Sequence, residues 1–248
     1  MSTKTLVAGA AAILSVLALV LLVLLICAGA RCWRSRSPAS KSCAAPAAGA
    51  AAASRRIVLV QISLSYFVFM LLRTAVSFSL SAMQHDPALN LTNDEVGNIV
   101  SAGTSGIIIG KVLIGPMVDV MGGGASLCTG LALVASALVG STYATDAAGL
   151  VIGRALLLFF WAISWPAGIK WGATFGLPGI TAAMAMASRV GGTLGNAVTG
   201  SALTYLHGSW RDLFLGLGAL SLVVLVGIGA TWQVRVPSLH LPRAVPAC

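Results

Sequence analysis

The sequence predicts an all-α membrane protein that crosses the bilayer several times. Of its 248 residues, 58% are hydrophobic and only 8% are charged. A soluble globular domain carries about 25% charged residues, so this chain has too few to cover a surface that faces water. Long apolar runs recur along the chain, and its 28 glycines suit the close contacts of packed membrane helices. The composition excludes a soluble domain, a disordered chain and a nucleic-acid-binding domain.

Several apolar runs are long enough to cross a bilayer. The hydrocarbon core is about 30 Å thick and a helix rises about 1.5 Å per residue, so one span needs about 20 apolar residues. The predicted spans are residues 5–30, 57–83, 96–118, 125–143, 148–170, 179–206 and 211–233.

Composition divides the chain into four parts. These are a transmembrane anchor or signal segment at 1–30, a basic low-complexity linker at 31–56, a six-helix core at 57–235 and a tail at 236–248. Ala28-Gly29-Ala30 matches a signal-cleavage pattern, but the apolar run before it is longer than a usual signal peptide, which favours a retained anchor. The low-complexity composition of the linker predicts that it is disordered.

The distribution of charge predicts the orientation of an integral, multi-pass protein. The net charge is +9, and a cluster of Lys and Arg between the first two apolar runs places the linker on the cytoplasmic side. The acidic loop at 85–95 then lies outside, and the loop at 118–124 lies inside. The kind of membrane stays open.

Small residues recur every four positions on two of the predicted spans. Ala187, Gly191, Gly195 and Thr199 form one such row, and Ala102, Gly106 and Gly110 form another. Small residues at this spacing let two helix backbones approach closely in lipid. Each row therefore predicts a helix–helix contact.

Cations inside the predicted spans are the main candidates for a functional site. Arg73 and Arg189 lie near the middle of their spans, Lys111 in the inner half and Arg154 in the outer third. A charge at the bilayer centre costs about 2.5–3.5 kcal/mol, so these side chains must face the bundle interior or water. The acids of the six core spans lie near span ends, so a cavity lined by these cations favours an anion such as phosphate or carboxylate.

Enzymatic chemistry has weak support in the sequence. The five cysteines are scattered, without metal-site or redox spacing, and neither a metal nor another cofactor is expected. Gly103-Thr104-Ser105-Gly106 matches the G-x-S-G of rhomboid-type proteases, which need a membrane histidine as base. His207 is the nearest candidate and sits at a span end, so we expect a protein that is not an enzyme.

Motifs in the six-helix core follow a recognisable order. Gly115-Pro116-Met117-Val118-Asp119-Val120-Met121-Gly122 has the form G-x-x-x-D-x-x-G between two spans. Arg154 and Trp165-Pro166 follow on one later span, and Trp210-Arg211-Asp212-Leu213-Phe214 opens the last. This order resembles the N-terminal six-helix half of the major facilitator superfamily, which implies a half-bundle of that type. The predicted span at 5–30 adds one extra N-terminal helix that lies outside the family pattern.

Within that superfamily the chain looks most like the organophosphate:phosphate antiporters. Tyr66-Phe67-Val68-Phe69-Met70-Leu71-Leu72-Arg73 matches their aromatic first helix with a substrate-binding arginine, and Lys111 lies eight residues before Asp119, as in that family. The resemblance implies transport of an organic anion, such as a phosphate ester, by alternating access. The implied substrate ligands are Arg73, Arg189 and Lys111. The implied gating and structural residues are Gly115, Asp119, Gly122, Arg154, Trp165 and Pro166.

The resemblance also implies partners beyond the lipid bilayer and a small anion. The family's substrate lies between two halves, so a second half-bundle, from a copy of this chain or another protein, would supply the facing wall. A non-transporting scaffold is the alternative. The basic residues that usually pair with the loop aspartate are replaced by Val120, Gly123 and Gly124, which leaves Asp119 without an evident partner.

Overall fold

The computed structural model describes residues 48–205 and 209–235, with side chains for 55–204 and 209–229. Within these ranges the chain is helical and contains no strand, as predicted. The helices are α1 (Ala48–Gln84), α2 (Asn93–Met121), α3 (Gly123–Ser141), α4 (Ala147–Trp161), α5 (Ser164–Thr174), α6 (Ile180–Tyr205) and α7 (Trp210–Arg235). The predicted span at 5–30 and the tail at 236–248 lie outside the described residues. Helix α1 begins before residue 57, so the end of the predicted linker is helical.

Five segments of the described region are long and apolar enough to cross a membrane. They are Arg55–Gln84, Asn93–Met121, Gly123–Ser141, Ala147–Thr174 and Trp210–Gly229, and they confirm five of the predicted spans. The sixth core span, predicted at 179–206, forms α6 but is not one of these segments. Its 26 residues extend about 39 Å, which is long enough, but its glycines, hydroxyl side chains and Arg189 lower its apolar content.

The predicted span 148–170 is divided into two helices by a turn. Helix α4 ends at Trp161 and α5 begins at Ser164, with Ala162 and Ile163 between them. Pro166 has no N–H, so the carbonyl of Ala162 loses its helical hydrogen bond. The turn therefore precedes Pro166. The proline occupies the first turn of α5, where a missing donor is tolerated.

Local capping fixes where two of the helices begin. The hydroxyl of Thr92 accepts from the backbone N–H of Glu95, and the Glu95 carboxylate accepts from the Thr92 N–H at 2.8 Å, which forms a capping box before α2. The carboxylate of Asp146 accepts from the N–H of Gly149 at 2.8 Å before α4. These bonds satisfy N–H groups that the first turn of a helix leaves free.

Both predicted rows of small residues form close helix contacts. A Cβ at Gly191 would lie 2.5 Å from the carbonyl oxygen of Phe67, so α6 packs backbone to backbone against α1. A Cβ at Gly110 would lie 2.6 Å from the carbonyl oxygen of Phe159, and Gly106 meets the backbone of Ala155, so α2 packs in the same way against α4. Helix α3 is the most buried and contacts α4, α5 and α7.

Asp86 joins three connections at the end of the bundle where α1 ends. One of its carboxylate oxygens accepts from the indole N–H of Trp210 at 2.9 Å and from the guanidinium of Arg211 at 2.8 Å. Arg211 also donates to the carbonyl of Thr142 at 3.2 Å, beside the α3–α4 turn. These bonds explain the W-R pair that opens the last span, and we name Asp86, Trp210 and Arg211 the Asp86 clamp.

Gly191→Ala is expected to destabilise the bundle, because its methyl group would push against the backbone of α1. Overpacking of this kind costs about 1–3 kcal/mol. Gly200→Ala is the matched control on the same helix, since a Cβ there has no atom within 4 Å. The thermal unfolding midpoint in detergent should fall for Gly191→Ala and stay level or rise for Gly200→Ala. Equal midpoints for the two variants would contradict the close contact.

The Asp86 clamp is expected to weaken in acid. The pKa of the Asp86 carboxyl lies below its ordinary value of 3.8. The main cause is the hydrogen bond that Trp210 donates to the carboxylate, and the Ala88 N–H donates a second one. A lowered folded-state pKa gives stabilisation that is present above the ordinary pKa and is lost as the pH falls through the folded-state pKa. Asp86→Asn should therefore lower the free energy of unfolding at neutral pH by about 2 kcal/mol, and the thermal unfolding midpoint should fall with it.

The difference between wild type and Asp86→Asn should then shrink as the pH falls below the ordinary carboxyl pKa. Unfolding midpoints measured at neutral pH and in acid give this comparison. A difference that is constant with pH would mean that the Asp86 charge does not stabilise the clamp.

Candidate functional site

Arg73 stacks on an aromatic ring in the interior of the bundle. Its guanidinium carbon lies 4.4 Å from the centroid of the Trp161 ring, which joins α1 to the end of α4. Trp161 is buried and Arg73 is half-buried. A cation over an indole face is favourable, by about 2 kcal/mol where the pair is desolvated. The two ion pairs among the described residues do not include Arg73, so no carboxylate neutralises it there.

Arg154 lies directly beside Arg73 and is only 7% exposed. It donates from Nη2 to the hydroxyl of Ser77 at 2.7 Å and from Nη1 to the backbone carbonyl of Arg73 at 3.5 Å. A Cβ at Gly103 of α2 would lie 3.1 Å from its Nε, so the glycine leaves room for the guanidinium. Arg154 thus ties α4 to α1 and brings a second positive charge next to Arg73.

Helical spacing explains how these residues meet. Ser77 follows Arg73 by one turn of α1, and Trp161 follows Arg154 by two turns of α4, so each pair shares one face of its helix. These two faces oppose each other across the α1–α4 contact. We name Arg73, Ser77, Arg154 and Trp161 the α1–α4 cation site.

A second aromatic pair extends the site along the same two faces. The rings of Tyr66 and Trp165 meet edge to face with centroids 5.6 Å apart. Tyr66 precedes Arg73 by two turns, and Trp165 follows Trp161 by four residues in sequence. Trp165 is 40% exposed, so this end of the site opens to the surface of the described bundle.

The structure places the other two predicted substrate ligands elsewhere. Lys111 is exposed on α2, next to Gly110, which packs against α4. Arg189 is exposed on α6 and precedes Gly191, the residue that contacts α1, by two positions. Two residues correspond to about 200° around a helix, so Arg189 lies on the side away from α1. Neither cation contacts Arg73 within this bundle, and their binding roles stay predictions.

Sequence reasoning missed two members of the site. Trp161 lies in an apolar run that looks like ordinary span, and Ser77 is one of several serines on its helix. The spacing of Trp161 from Arg154 and from Trp165 was the available signal. That spacing places all three side chains near one face of the α4–α5 segment.

A family model described as Major Facilitator Superfamily matches residues 62–244, about three quarters of the chain. The chain belongs to the Major Facilitator Superfamily. No curated protein and no solved structure matches it. Members of the superfamily are generally transporters rather than enzymes.

The superfamily's signature motif lies at the junction of α2 and α3. The predicted loop at 118–124 is shorter in the structure, since α2 continues to Met121 and α3 begins at Gly123. Gly122 connects them with a φ of 83°, a backbone conformation that favours glycine. Gly123 then packs against the backbone of Trp171 on α5, where no Cβ would fit. The motif thus forms a tight corner rather than an open loop.

Asp119 has a partner that the sequence did not reveal. Its carboxylate accepts from Lys170 Nζ of α5 at 2.7 Å, and its backbone carbonyl accepts from the same amine at 3.1 Å. The basic residues missing after Asp119 in this Major Facilitator chain are therefore replaced in space by Lys170. Gly115 lies nearby on α2, and a Cβ there would have no atom within 4 Å.

Ser105 does not form a catalytic arrangement in the described part of the chain. Its hydroxyl donates to the backbone carbonyl of Ser101 at 3.1 Å, which is a usual bond for a serine in a membrane helix. His207, the proposed base, lies outside the described residues. The G-x-S-G match has no further support from the geometry.

The ion pair of Asp119 and Lys170 is expected to contribute little to stability. The two side chains are 77% and 35% exposed, and pairs in such surroundings contribute about 0–1 kcal/mol. A double-mutant cycle with Asp119→Asn and Lys170→Gln, followed by thermal unfolding, should give a coupling below about 1 kcal/mol. A much larger coupling would show that the pair is a main support of the end of the bundle where α2 ends.

Proposed function

We propose that this Major Facilitator transporter carries an organic anion, such as a phosphate ester, by alternating access. The environment of Arg73 supports an anionic substrate. Arg73 lies inside the bundle, stacks on Trp161 and has no carboxylate partner among the described residues. A guanidinium group makes two parallel hydrogen bonds to phosphate or carboxylate. An anionic substrate is the partner that this arrangement lacks.

Charge neutralisation explains why such a carrier would exchange one anion for another. Arg73 and Arg154 carry two positive charges at membrane depth, where the solvation of ions is poor. Reorienting the empty site moves these charges without a counter-ion, whereas the loaded site is close to neutral. Antiport follows, as in the organophosphate:phosphate antiporters that the sequence resembles.

A second six-helix bundle, from a copy of this chain or from another protein, would complete the transport path. Alternating access rocks two bundles around one substrate. Lys111 and Arg189 are exposed on α2 and α6, and we assign them to contacts across that interface. The Asp119–Lys170 pair at the α2–α3 corner would hold one of the two end states. A membrane scaffold without transport is the competing function.

Arg73→Ala is expected to abolish exchange, because it removes the cation that pairs with the substrate. Purified protein in liposomes loaded with phosphate should take up labelled phosphate, and Arg73→Ala should reduce the rate at least about 100-fold, the loss expected for a buried charge pair of about 3 kcal/mol. Arg56→Ala is the matched control, since Arg56 is an exposed arginine on the same helix. It should keep wild-type exchange.

Exchange that is unchanged in Arg73→Ala would contradict the proposed role of Arg73. A wild-type protein that inserts and folds but exchanges neither phosphate nor glycerol phosphate would favour the scaffold.

A further inference from the structure

Among the described residues, two buried N–H groups of the α1–α4 cation site have no hydrogen-bond acceptor. They are Nε of Arg154 and Nε1 of Trp161, on side chains that are 7% and 9% exposed. Buried polar groups in proteins are nearly always bonded, and an unbonded one in an apolar bundle is costly. Two such donors on one face of α4, both beside Arg73, indicate that an acceptor is missing there.

The stacking of Arg73 leaves its hydrogen-bonding edges free. The Arg73 Cζ lies over the Trp161 ring, 4.4 Å from its centroid, and a cation held over a ring face makes no conventional hydrogen bond to that ring. Within the described residues none of these N–H groups donates to a protein acceptor. The indole ring thus holds Arg73 in place and leaves the guanidinium N–H groups available to an acceptor.

Ser77 and the Arg73 carbonyl cannot serve as the missing acceptor. The Ser77 hydroxyl accepts from Arg154 Nη2 and itself donates to the Arg73 carbonyl at 3.3 Å. The same carbonyl also receives Arg154 Nη1. These bonds fix the Arg154 guanidinium and leave its Nε–H directed elsewhere, so Ser77 is a positioning residue.

We propose that Arg154 and Trp161 bind the same anion as Arg73, and that this donor set selects a dianion with several oxygens. The proposal rests on the proposed function and adds two ligands to it. Two guanidinium groups repel each other in a low-dielectric interior, and one negative charge neutralises only one of them. A tetrahedral dianion supplies both charges and enough oxygens for the Arg73 edge, Arg154 Nε and the Trp161 indole.

This assignment changes the role of Arg154. Its bonds to Ser77 and to the Arg73 carbonyl are structural, which agrees with the structural role that the family resemblance implies for Arg154. Its free Nε–H and its charge, next to Arg73, are available to a ligand. Arg154 therefore holds α4 against α1 and contributes to binding at the same time.

Equilibrium binding of radiolabelled sulfate to the purified full chain in detergent tests the proposal without requiring transport. Sulfate is a tetrahedral dianion at neutral pH, and nitrate is a monoanion that serves as the comparison. Trp161→Phe keeps an aromatic ring under Arg73 but removes the indole N–H. It should weaken sulfate binding about tenfold, the loss expected for one hydrogen bond to a charged group.

Trp171→Phe is the matched control, because Trp171 is also a buried tryptophan but lies in the C-terminal half of α5, away from the turn that follows Trp161. It should leave sulfate affinity unchanged. Arg154→Lys keeps a positive charge but removes the Nε–H and the planar fork, and should also weaken sulfate about tenfold. Arg154→Gln, which removes the charge, should reduce sulfate affinity more than nitrate affinity.

The outcomes separate this proposal from the proposed function. Wild-type sulfate affinity in both Trp161→Phe and Arg154→Lys, with loss of binding in Arg73→Ala, would overturn the added ligands and leave the anion carrier standing. Loss of sulfate binding in all three variants, with phosphate exchange intact in Arg73→Ala, would overturn the carrier role of Arg73 and support the shared site. Equal weakening of sulfate and nitrate in Arg154→Gln would overturn the preference for dianions.

Discussion

The constraint on which this structure depends is that two guanidinium groups, one buried and one half-buried, lie side by side with no carboxylate partner among the described residues. Arg73 and Arg154 lie on adjoining faces of α1 and α4, inside helices that are otherwise apolar. In the described part of the chain their side chains contact neutral groups: an indole face, a hydroxyl and a backbone carbonyl. Such contacts orient a cation but do not cancel its charge. The positive charge of the two arginines thus stays uncompensated until an anion binds. A transporter can use this change in charge to couple binding to movement.

The close contacts of the helices make this arrangement possible. Glycines at 106 and 110 let α2 approach the backbone of α4, and glycines at 191 and 195 let α6 approach α1. Helix α2 thus packs on α4 beside Arg154, and α6 packs on α1, which fixes the two helices that carry the cation site. Close packing also limits how far Arg73 and Arg154 can move away from one another, since protein interiors do not deform continuously. The cation site is therefore a product of backbone packing as much as of its own side chains.

The two ends of the bundle are held by different kinds of ion pair. Asp86 is 15% exposed and shares its oxygen between an indole and a guanidinium, so it joins three connections firmly. Asp119 is 77% exposed and pairs with a single lysine, so it contributes little energy and can separate readily. The described bundle therefore has a strong clamp at one end and a weak pair at the other. The weak pair lies at the superfamily's signature motif.

The sequence by itself determined the helices, most of the spans and the identity of the charged residues. Apolar runs, glycine rows and cations at membrane depth are local properties of the chain, and lipid leaves little choice about how such segments fold. It also singled out Arg73 and Arg154 as cations inside spans and Asp119 as part of the G-x-x-x-D-x-x-G motif. It could not show that Arg154, rather than Lys111 or Arg189, lies beside Arg73, because that depends on how each helix is rotated about its axis and on which helix it packs against.

Tertiary structure alone decided the partners. Trp161 under Arg73, Ser77 with Arg154 and Lys170 with Asp119 join residues from different helices, at sequence separations that carry no periodic signal. The break at 162–163 and the single-residue corner at Gly122 then set the angles at which these side chains meet. The sequence gives the type of each residue. Its neighbours on other helices depend on how all the helices of the bundle pack together.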